Sequence, residues 1–485
     1  MDAAGLLEQL TLQDGNVLAD AVSGRKLVLN PSGVVFFGIF RRHGDSDEAV
    51  CQVAARFGLS HQLARTEYRR FLELIDQGQR CAGSILPGRH HAVLEPTAAC
   101  NGQCPHCYHG DRSSRWPREQ FAAILDQVRG GGIKSVSITG GEVFSAHFAD
   151  AFFDLARELS ERRVTIASVS TNATFLTEQI RDRVLAAIPR TTVFRISLDA
   201  LRGDLLDRIR PGYRNLADPY LPIRDLDAAG YPLVFTTNLF HAQPVEAVLE
   251  IGDYLRQYRG IKAWNVRMAV PVHHGDGERA RSPARRRQLL GTRPSPALGL
   301  RYYQAILEAH AASEFPFDVR MGNYLMTSLL RNPVALTAFG GGHPCREDQY
   351  LVTVKATGDV TQCPILTELA PDLTIGSGRD GVHLGEGFEA DLPLAGLDTA
   401  TMACHTCPLL AVCGGGCRLY ALAYDQGLEG CDLPARALLS WLVTDPAGLL
   451  RRNWPAYHAR LRSFITDPGA VTRIYQQDAA GWDLP

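Results

Sequence analysis

Residues 93–107 read Val-Leu-Glu-Pro-Thr-Ala-Ala-Cys-Asn-Gly-Gln-Cys-Pro-His-Cys, a short apolar segment followed by a loop that carries three cysteines. Cys100, Cys104 and Cys107 have C-x3-C-x2-C spacing. From this point to about residue 313, short apolar segments alternate with longer segments whose apolar residues recur at helical spacing. Repeated strand–helix units of this kind form parallel strands. The stretch therefore predicts an α/β fold with the cysteine loop after its first strand.

Six strand–helix units are predicted in this region. The strands are expected at 93–95, 133–139, 164–170, 192–198, 232–239 and 262–268, and the helices at 117–129, 148–162, 176–188, 219–229, 244–258 and 299–313. A closed barrel of this kind needs eight strands, so six predict an open, partial (β/α)6 barrel. Residues 273–298 interrupt the alternation with Gly, Pro, Ser and Arg. We expect them to form either a solvated loop or a flap that faces the substrate.

The cysteine loop is a candidate metal site. Three thiolates can hold three irons of a four-iron cluster and leave the fourth iron open to another ligand. Zinc is the alternative, because His106 or His109 could complete a tetrahedral site. One strand later the sequence reads Gly140-Gly141-Glu142. Glycines there allow close approach of a ligand to the backbone, although glycine pairs also mark many ordinary turns.

Together, the cysteine triplet and the Gly-Gly-Glu motif one unit later resemble the radical S-adenosylmethionine (SAM) superfamily. The resemblance implies a four-iron cluster on Cys100, Cys104 and Cys107 whose open iron takes the methionine end of SAM. Reduction of SAM would then give a 5′-deoxyadenosyl radical, which abstracts hydrogen from unactivated carbon. An electron donor such as a flavodoxin or a ferredoxin is implied as a partner.

The same resemblance nominates residues that contact SAM. Gly140, Gly141 and Glu142 are expected to bind its amino group, and Tyr108 is expected near its adenine. The polar residues at the ends of the next two strands are candidates for its ribose and carboxylate: Ser170, Asn172 and Ser197. Arg208 or Arg210 is the candidate to pair with the SAM carboxylate through a bidentate fork.

A second group of cysteines lies beyond residue 340: Cys345, Cys363, Cys404, Cys407, Cys413, Cys417 and Cys431. With Gly358, their spacing resembles the SPASM extension of radical SAM peptide-modifying enzymes and differs from a zinc finger. The resemblance implies two auxiliary iron–sulfur clusters, three clusters in all, of the 4Fe-4S type. Cys345, Cys363 and Cys417 would serve the nearer auxiliary cluster, and the other four cysteines the farther one. A purely structural metal fold is the alternative.

The nearer auxiliary cluster has one cysteine fewer than in some members of the family. Those members carry an eighth cysteine where this chain has Phe339. Either a group other than cysteine completes the site or the site stays open.

Residues 1–88 predict a winged helix-turn-helix, with a hairpin at 16–20 and 26–29 and helices at 32–40, 47–57 and 60–77. This fold most often binds DNA, but the third helix mixes charges where a DNA reader shows a basic stripe. Residues 27–33 and 57–60 resemble the PqqD-like recognition domain (RRE) of maturases of ribosomally made peptides (RiPPs). That resemblance implies that a leader peptide adds a strand to the sheet edge.

Composition limits the partners and the compartment. The formal net charge of −2 gives no reason to expect a polyanion such as nucleic acid as a partner. The N-terminus lacks a signal sequence and no apolar run is long enough to span a bilayer, so a cytoplasmic protein without a membrane partner is expected. Twelve cysteines in a reducing compartment favour metal ligands, with Cys51 and Cys81 left over as buried apolar residues.

The sequence thus predicts four domains: 1–88 for peptide recognition, 89–330 for the radical SAM barrel, 331–435 for the SPASM extension and 436–485 for a tail with helices at 434–443 and 447–464. The predicted function is a radical SAM peptide maturase that binds a precursor leader and installs a thioether or carbon–carbon crosslink in the core. One alternative is a maturase of a protein subunit, of the sulfatase or quinohemoprotein amine dehydrogenase type. The other is a DNA-binding iron–sulfur sensor.

Overall fold

The computed structural model describes most of the chain: residues 10–13, 17–20, 26–28, 31–57, 60–80, 91–102, 104, 106–109, 112–130, 133–174, 177–201, 203–210, 221–241, 243–270, 293–322, 324–333, 336, 352–377, 394 and 397–481. Contacts divide the chain into two compact units, Met1–Gly88 and Arg89–Pro485. The predictions made for Cys81, Phe339, Cys345 and most of 273–298 lie outside the described residues. The further domain boundaries proposed within 89–485 stay predictions.

The first unit has a three-stranded antiparallel sheet in the order β1-β2-β3. The strands are β1 (Leu10–Gln13), β2 (Val17–Asp20) and β3 (Lys26–Val28), and the helices are Pro31–His43, Asp47–Phe57 and His61–Arg80. The hairpin and the three helices lie where the sequence predicts them, whereas β1 was not predicted. Cys51 is exposed rather than buried, because Ala49, Val50 and Val53 form the buried face of its helix.

The described part of the second unit is built on one eleven-stranded sheet, in the order β11-β10-β9-β8-β7-β6-β5-β4-β12-β13-β14. Its strands are β4 (His91–Leu94), β5 (Ser135–Ile138), β6 (Thr165–Thr171), β7 (Val193–Ser197), β8 (Leu233–Leu239), β9 (Ile261–Met268), β10 (Asp318–Met321), β11 (Leu325–Met326), β12 (Val352–Val354), β13 (Asp359–Thr361) and β14 (Thr374–Ser377). The six predicted barrel strands are β4 to β9, parallel and in chain order. The partial (β/α)6 barrel is therefore confirmed.

Strands at both edges extend the barrel sheet beyond the prediction. β10 adds in parallel to β9, and β12 adds in parallel to β4. β12 pairs antiparallel with β13, which ends just before Cys363, so the cysteine-rich region shares its sheet with the barrel. Trp116 reinforces this junction, because its indole N–H donates to the carbonyl of Lys355 at 2.8 Å.

Helices cover the outer face of the barrel sheet. They are Phe121–Gly130, Ala149–Glu161, Glu178–Ala187, Gly203–Ile209, Leu221–Ala228, Val245–Leu255 and Pro296–Ala312. Alternate residues of each strand face them. On β9, Trp264 is fully buried and packs edge-on against Phe315. A side chain at Gly252 would come within 2.9 Å of the Trp264 ring, so glycine lets this helix approach the strand.

The C-terminal tail differs from the prediction of one helix over 447–464. The structure has two helices there, Leu449–Asn453 and Pro455–Arg462. Proline has no N–H to donate, so Pro455 starts a helix rather than continuing one. A further helix, Pro468–Gly481, was not predicted and is tied to Leu433–Thr444 by the ion pair of Arg436 with Asp478. None of the described helices has the length and apolar character needed to cross a membrane.

Candidate functional site

A cavity of about 300 Å³ lies at the C-terminal ends of the barrel strands. Most of the residues singled out from the sequence for the first site line it: Cys100, Cys104, Cys107, Tyr108, Gly140, Gly141, Ser170, Asn172, Ser197 and Arg210. They come from the loops after β4 and β5, the ends of β6 and β7, and the segment after Gly203–Ile209. Parallel strands end at the same side of the sheet, which is why residues more than a hundred positions apart meet here.

The three thiols of the cysteine loop are free and largely buried. Burial raises the pKa of the Cys100 thiol to about 11 and also raises the pKa of Cys104 and Cys107. Arg112 holds the loop by donating to the carbonyls of Gly102 at 2.6 Å and Cys104 at 3.2 Å. Thiols in such a place become thiolates when a bound cation compensates their charge, so the site suits metal coordination.

The donor set fits a cluster better than a single zinc ion. Among the described residues, no three Cys, His, Asp or Glu side chains are close enough to share one metal ion. An iron–sulfur cluster binds each thiolate through a different iron, so its ligands lie farther apart. Of the two histidines that could complete a zinc site, His106 places its Nε2 3.5 Å from the carboxylate of Asp199, and His109 also lines the cavity.

The glycine pair lies directly against the cysteine loop. Gly140 has a φ of 131°, in the region that favours glycine. A Cβ at Gly141 would lie 2.1 Å from the carbonyl oxygen of Ala99, and one at Gly140 would lie 2.2 Å from that of Thr97. The Gly141 N–H donates to Thr97 at 2.6 Å. The glycines therefore seat the cysteine loop as well as lining the cavity.

Glu142 lies behind the cavity wall rather than in it. Its buried carboxylate accepts hydrogen bonds from the Thr171 hydroxyl at 2.7 Å, the Phe144 N–H at 3.1 Å and the Asn172 N–H at 2.7 Å. Burial raises the pKa of this carboxyl group above its usual value. Glu142 thus fixes the end of β6 to the glycine motif.

Polar side chains of the neighbouring strand ends complete the wall. The Asn172 amide donates to the Asn101 side chain at 2.8 Å and lies 3.8 Å from the Cys100 sulfur, which links β6 to the cysteine loop. The Tyr108 hydroxyl donates to the buried carboxylate of Glu95. Ser170 and Ser197 lie on the faces of β6 and β7 that line the cavity.

The structure separates the two arginine candidates. Arg210 is buried in the cavity wall, and its Nε and Nη2 donate to the Asp199 carboxylate at 2.8 and 2.7 Å. Arg208 is exposed and does not line the cavity. Asp199 also accepts from the backbone N–H of Asn238 at 2.7 Å, so the pair is built into the ends of β7 and β8.

The cavity wall also includes residues that were not chosen from the sequence, among them Asn238, Arg267 and Tyr420, and it includes Cys417, which was chosen only for the nearer auxiliary cluster. Asn238 and Arg267 are polar residues near the ends of predicted strands, on the same strand face as other lining residues. The alternation of residues between the two faces of a strand could therefore have identified both from the sequence. No local sequence pattern indicates that Cys417 and Tyr420 line this cavity, because both lie more than 140 residues beyond the end of β9.

The described cysteines of the second group lie at two separate places. Cys404, Cys407, Cys413 and Cys431 line one small cavity together with Asp432 and Arg436. Their thiols are free, and burial raises the pKa of Cys413 and of Cys431, the latter to about 11. Cys417 instead lines the main cavity, and it packs with Cys363 against the apolar cluster around Leu366 and Leu419. The predicted farther ligand set is therefore brought together, and Cys417 is kept apart from it.

Comparison with known proteins agrees with this site. Residues 94–255 match the family described as the Radical SAM superfamily. A curated relative, the antilisterial bacteriocin subtilosin biosynthesis protein AlbA of Bacillus subtilis (strain 168), is 25% identical over 176 residues. The alignment covers 36% of this chain and 37% of AlbA, so the chain matches little more than a third of that relative.

Solved structures share the fold over a larger part of the chain. SuiB of Streptococcus suis bound to S-adenosylmethionine has a TM-score of 0.52 and 16% identity, covering 87% of this chain and 97% of SuiB. The structure named native anSMEcpe with bound AdoMet has a TM-score of 0.54 and 12% identity, covering 77% of this chain and 99% of anSMEcpe. At these low sequence identities, the comparison shows a similar fold and no more.

Proposed function

We propose that this chain, whose residues 94–255 match the Radical SAM superfamily, is a radical SAM maturase of a ribosomally made precursor peptide. One observation carries the proposal: a single cavity is lined by the cysteine triplet, the glycine pair and Cys417 of the second cysteine group. AlbA is named for bacteriocin biosynthesis, and SuiB has also been solved with its precursor peptide SuiA. These names support a peptide as the substrate class.

The described residues fit the cofactors that this family implies. Cys100, Cys104 and Cys107 would hold the four-iron cluster. The groups that would contact SAM are Tyr108, Gly140, Gly141, Ser170, Asn172, Ser197 and Arg210. When bound, the cluster and SAM supply a carbon-centred radical that can abstract hydrogen from the substrate. The chain's own part is positional, because Arg112, Asn172 and the glycine pair fix the cysteine loop against the strand ends.

The auxiliary cysteines suggest where the peptide is modified. The four cysteines around Cys413 would hold the farther cluster, and Cys363, Cys417 and Cys345 the nearer one. Cys417 lines the main cavity, so the nearer site adjoins the place where the substrate carbon would react. With Phe339 in place of an eighth cysteine, a substrate thiolate can serve as the fourth ligand. This arrangement favours a thioether crosslink over a carbon–carbon crosslink.

The first unit would bind the leader of the precursor. β3 forms one edge of its sheet, and an added strand would find free main-chain groups there. The third helix carries mixed charge, and its Arg65 is held by Asp47 at 2.6 Å rather than presented to a phosphate. We therefore favour a peptide ligand over duplex DNA for this unit.

The radical site is tested by replacing one thiol of the triplet. Cys104→Ala is expected to abolish 5′-deoxyadenosine formation from SAM while most of the auxiliary iron stays bound, since Cys404, Cys407, Cys413 and Cys431 line a different cavity from the triplet. The matched control is Cys51→Ala, which removes an exposed thiol of the first unit. Formation of 5′-deoxyadenosine at the parental rate by the Cys104 variant would show that the radical site lies elsewhere.

Binding and turnover measurements on the full-length protein distinguish the peptide maturase from the iron–sulfur sensor and from the protein-subunit maturase. Affinity for the leader of a genetically linked precursor should change little with salt, because strand addition uses main-chain hydrogen bonds. Binding to DNA weakens steeply with salt, because phosphate contacts release counterions. Tight duplex binding with a steep salt slope, together with no SAM cleavage, would favour the iron–sulfur sensor. Turnover of a folded protein subunit instead of a short precursor would favour the protein-subunit maturase.

A further inference from the structure

Three exposed arginines lie on the face of the barrel sheet that points away from the helices: Arg195 of β7, Arg267 of β9 and Arg320 of β10. On each strand they alternate with buried apolar residues that face the helices, such as Val266 and Val319. The charges of Arg267 and Arg320 add to burial in lowering the pKa of Arg195, so the three guanidinium groups are close enough to repel one another. This face of the sheet therefore carries three cations, of which Arg320 is paired with Asp318, and the remaining positive charge favours an anionic ligand.

Among the residues that the structure describes, Arg267 differs from Arg195, Arg210 and Arg320 in having no side-chain partner. Arg195 donates to the Ser168 hydroxyl at 3.2 Å, and Arg320 pairs with Asp318 at 3.3 Å. Arg210, in the cavity wall, is bound to Asp199. Within the described part of the chain, the guanidinium of Arg267 forms no hydrogen bond or ion pair, and it lines the main cavity. Its five N–H groups are available to a ligand.

The position of Arg267 points to the substrate rather than to the cysteine triplet. The cations that influence the triplet thiols are Arg112 and Arg210. The positive charge of Arg267 instead acts on Tyr303 and Tyr420, whose pKa values it lowers against the larger, opposite effect of burial. The Tyr420 hydroxyl donates to the carbonyl of Met268 at 3.1 Å. Arg267 thus lies on the part of the wall that is completed by the second cysteine group.

We propose that Arg267 anchors a carboxylate of the peptide substrate in this cavity, either an Asp or Glu side chain or the C-terminal carboxylate. A guanidinium fork binds a carboxylate through two parallel hydrogen bonds, which gives orientation as well as affinity. Arg267 is exposed, so a carboxylate that enters the cavity can reach its guanidinium. This site rests on the proposed function, because it assumes that a peptide enters the cavity.

SAM offers the same chemistry, since it carries a carboxylate of its own. The test therefore compares probes on the full-length, reconstituted protein. N-acetyl-L-glutamate N-methylamide and its neutral glutamine analogue probe a side chain. N-acetylglycylglycine and its C-terminal amide probe a chain end. Binding is measured in the presence of SAM by protection of Arg267 from phenylglyoxal, read by mass spectrometry, and by calorimetry. SAM affinity is measured separately in each variant.

The variants are Arg267→Gln, Arg267→Lys and the matched control Arg320→Gln, which removes a neighbouring guanidinium that is not part of the cavity wall. We expect at least one acidic probe to bind the parent roughly tenfold more tightly than its neutral analogue, and the preference to disappear in Arg267→Gln. Arg267→Lys should keep part of the preference, because it retains the charge and loses the fork. SAM affinity should stay the same in all three variants.

Three results would overturn the proposal. The first is equal binding of acidic and neutral probes to the parent, or binding of neither. The second is an unchanged preference in Arg267→Gln. The third is a loss confined to SAM affinity in Arg267→Gln, which would assign the guanidinium to the SAM carboxylate. Formation of 5′-deoxyadenosine by the same parent sample reports on the proposed function independently, since the probe measurements need no turnover.

Discussion

The contact between Gly141 and the cysteine loop makes a quantitative prediction. A Cβ at Gly141 would meet the carbonyl oxygen of Ala99 at 2.1 Å and that of Ala98 at 2.6 Å, whereas ordinary contact begins near 3.4 Å. These are backbone atoms, so no side chain can rotate away. In Gly141→Ala the cysteine loop must move by about 1 Å or more to relieve the overlap.

The cost of that movement can be estimated. Overpacking of a well-packed site costs about 1–3 kcal/mol, and here two hydrogen bonds between the loops are also strained, from Gly141 to Thr97 and from Glu142 to Ala99. We expect a loss of roughly 3 kcal/mol in the free energy of unfolding of the second unit. A displacement of about 1 Å at a reacting centre costs roughly a hundredfold in rate, so SAM cleavage should fall by about that factor.

The assay combines denaturant unfolding with the rate of 5′-deoxyadenosine formation at matched iron content. Gly130→Ala is the control, because it makes the same change at the end of the helix Phe121–Gly130, where nothing lies within 4 Å. The control should leave the cleavage rate unchanged. Parental stability and parental cleavage in Gly141→Ala would refute the reasoning that the glycine pair seats the cysteine loop.

Two further predictions concern buried polar contacts. Asp199→Asn leaves the buried guanidinium of Arg210 uncompensated and should lower the free energy of unfolding by about 3 kcal/mol. The double variant Asp199→Asn/Arg210→Met should recover part of that loss in the same denaturant titration, and no recovery would show that the pair is not coupled. Tyr324→Phe removes the hydroxyl that donates to the buried carboxylate of Asp432 and should cost about 1–2 kcal/mol. Unchanged unfolding in that variant would mean that water replaces the hydroxyl.

Local patterns in the sequence were sufficient for the order of strands and helices in the barrel. The six parallel strands β4 to β9 lie within a few residues of their predicted positions, because hydrophobic periodicity is a property of neighbouring residues. The one helix predicted over 447–464 was wrong at Pro455, although proline is itself a local signal. The short strands β1, β10 and β11 were missed, since two to four residues carry too little periodicity to be recognised.

Spacing along the chain likewise predicted which residues meet at the candidate site. The cysteine triplet, the glycine pair and the strand-end residues Ser170, Asn172 and Ser197 were recognisable as a group and do line one cavity. Parallel strands explain this success, because motifs at the ends of successive strands must converge at one edge of the sheet.

Only the tertiary structure decided which side chains are available at that edge. The sequence offered Arg208 and Arg210 equally, but Asp199 binds Arg210 within the wall while Arg208 faces away from it. Glu142 proved to be engaged by three donors behind the wall. Partners of this kind are chosen by residues distant in sequence, so no local pattern reports them.

The tertiary structure also decided where the second cysteine group lies. β12 pairs with β4 although more than 250 residues separate them, and this pairing carries the cysteine-rich region to the barrel. It brings Cys417 to the main cavity and leaves Arg267 facing the same space without a carboxylate partner among the described residues. The sequence determined which groups the protein has for its chemistry. Long-range strand pairing and burial decided which of them meet, because both depend on the packing of the whole sheet rather than on neighbours along the chain.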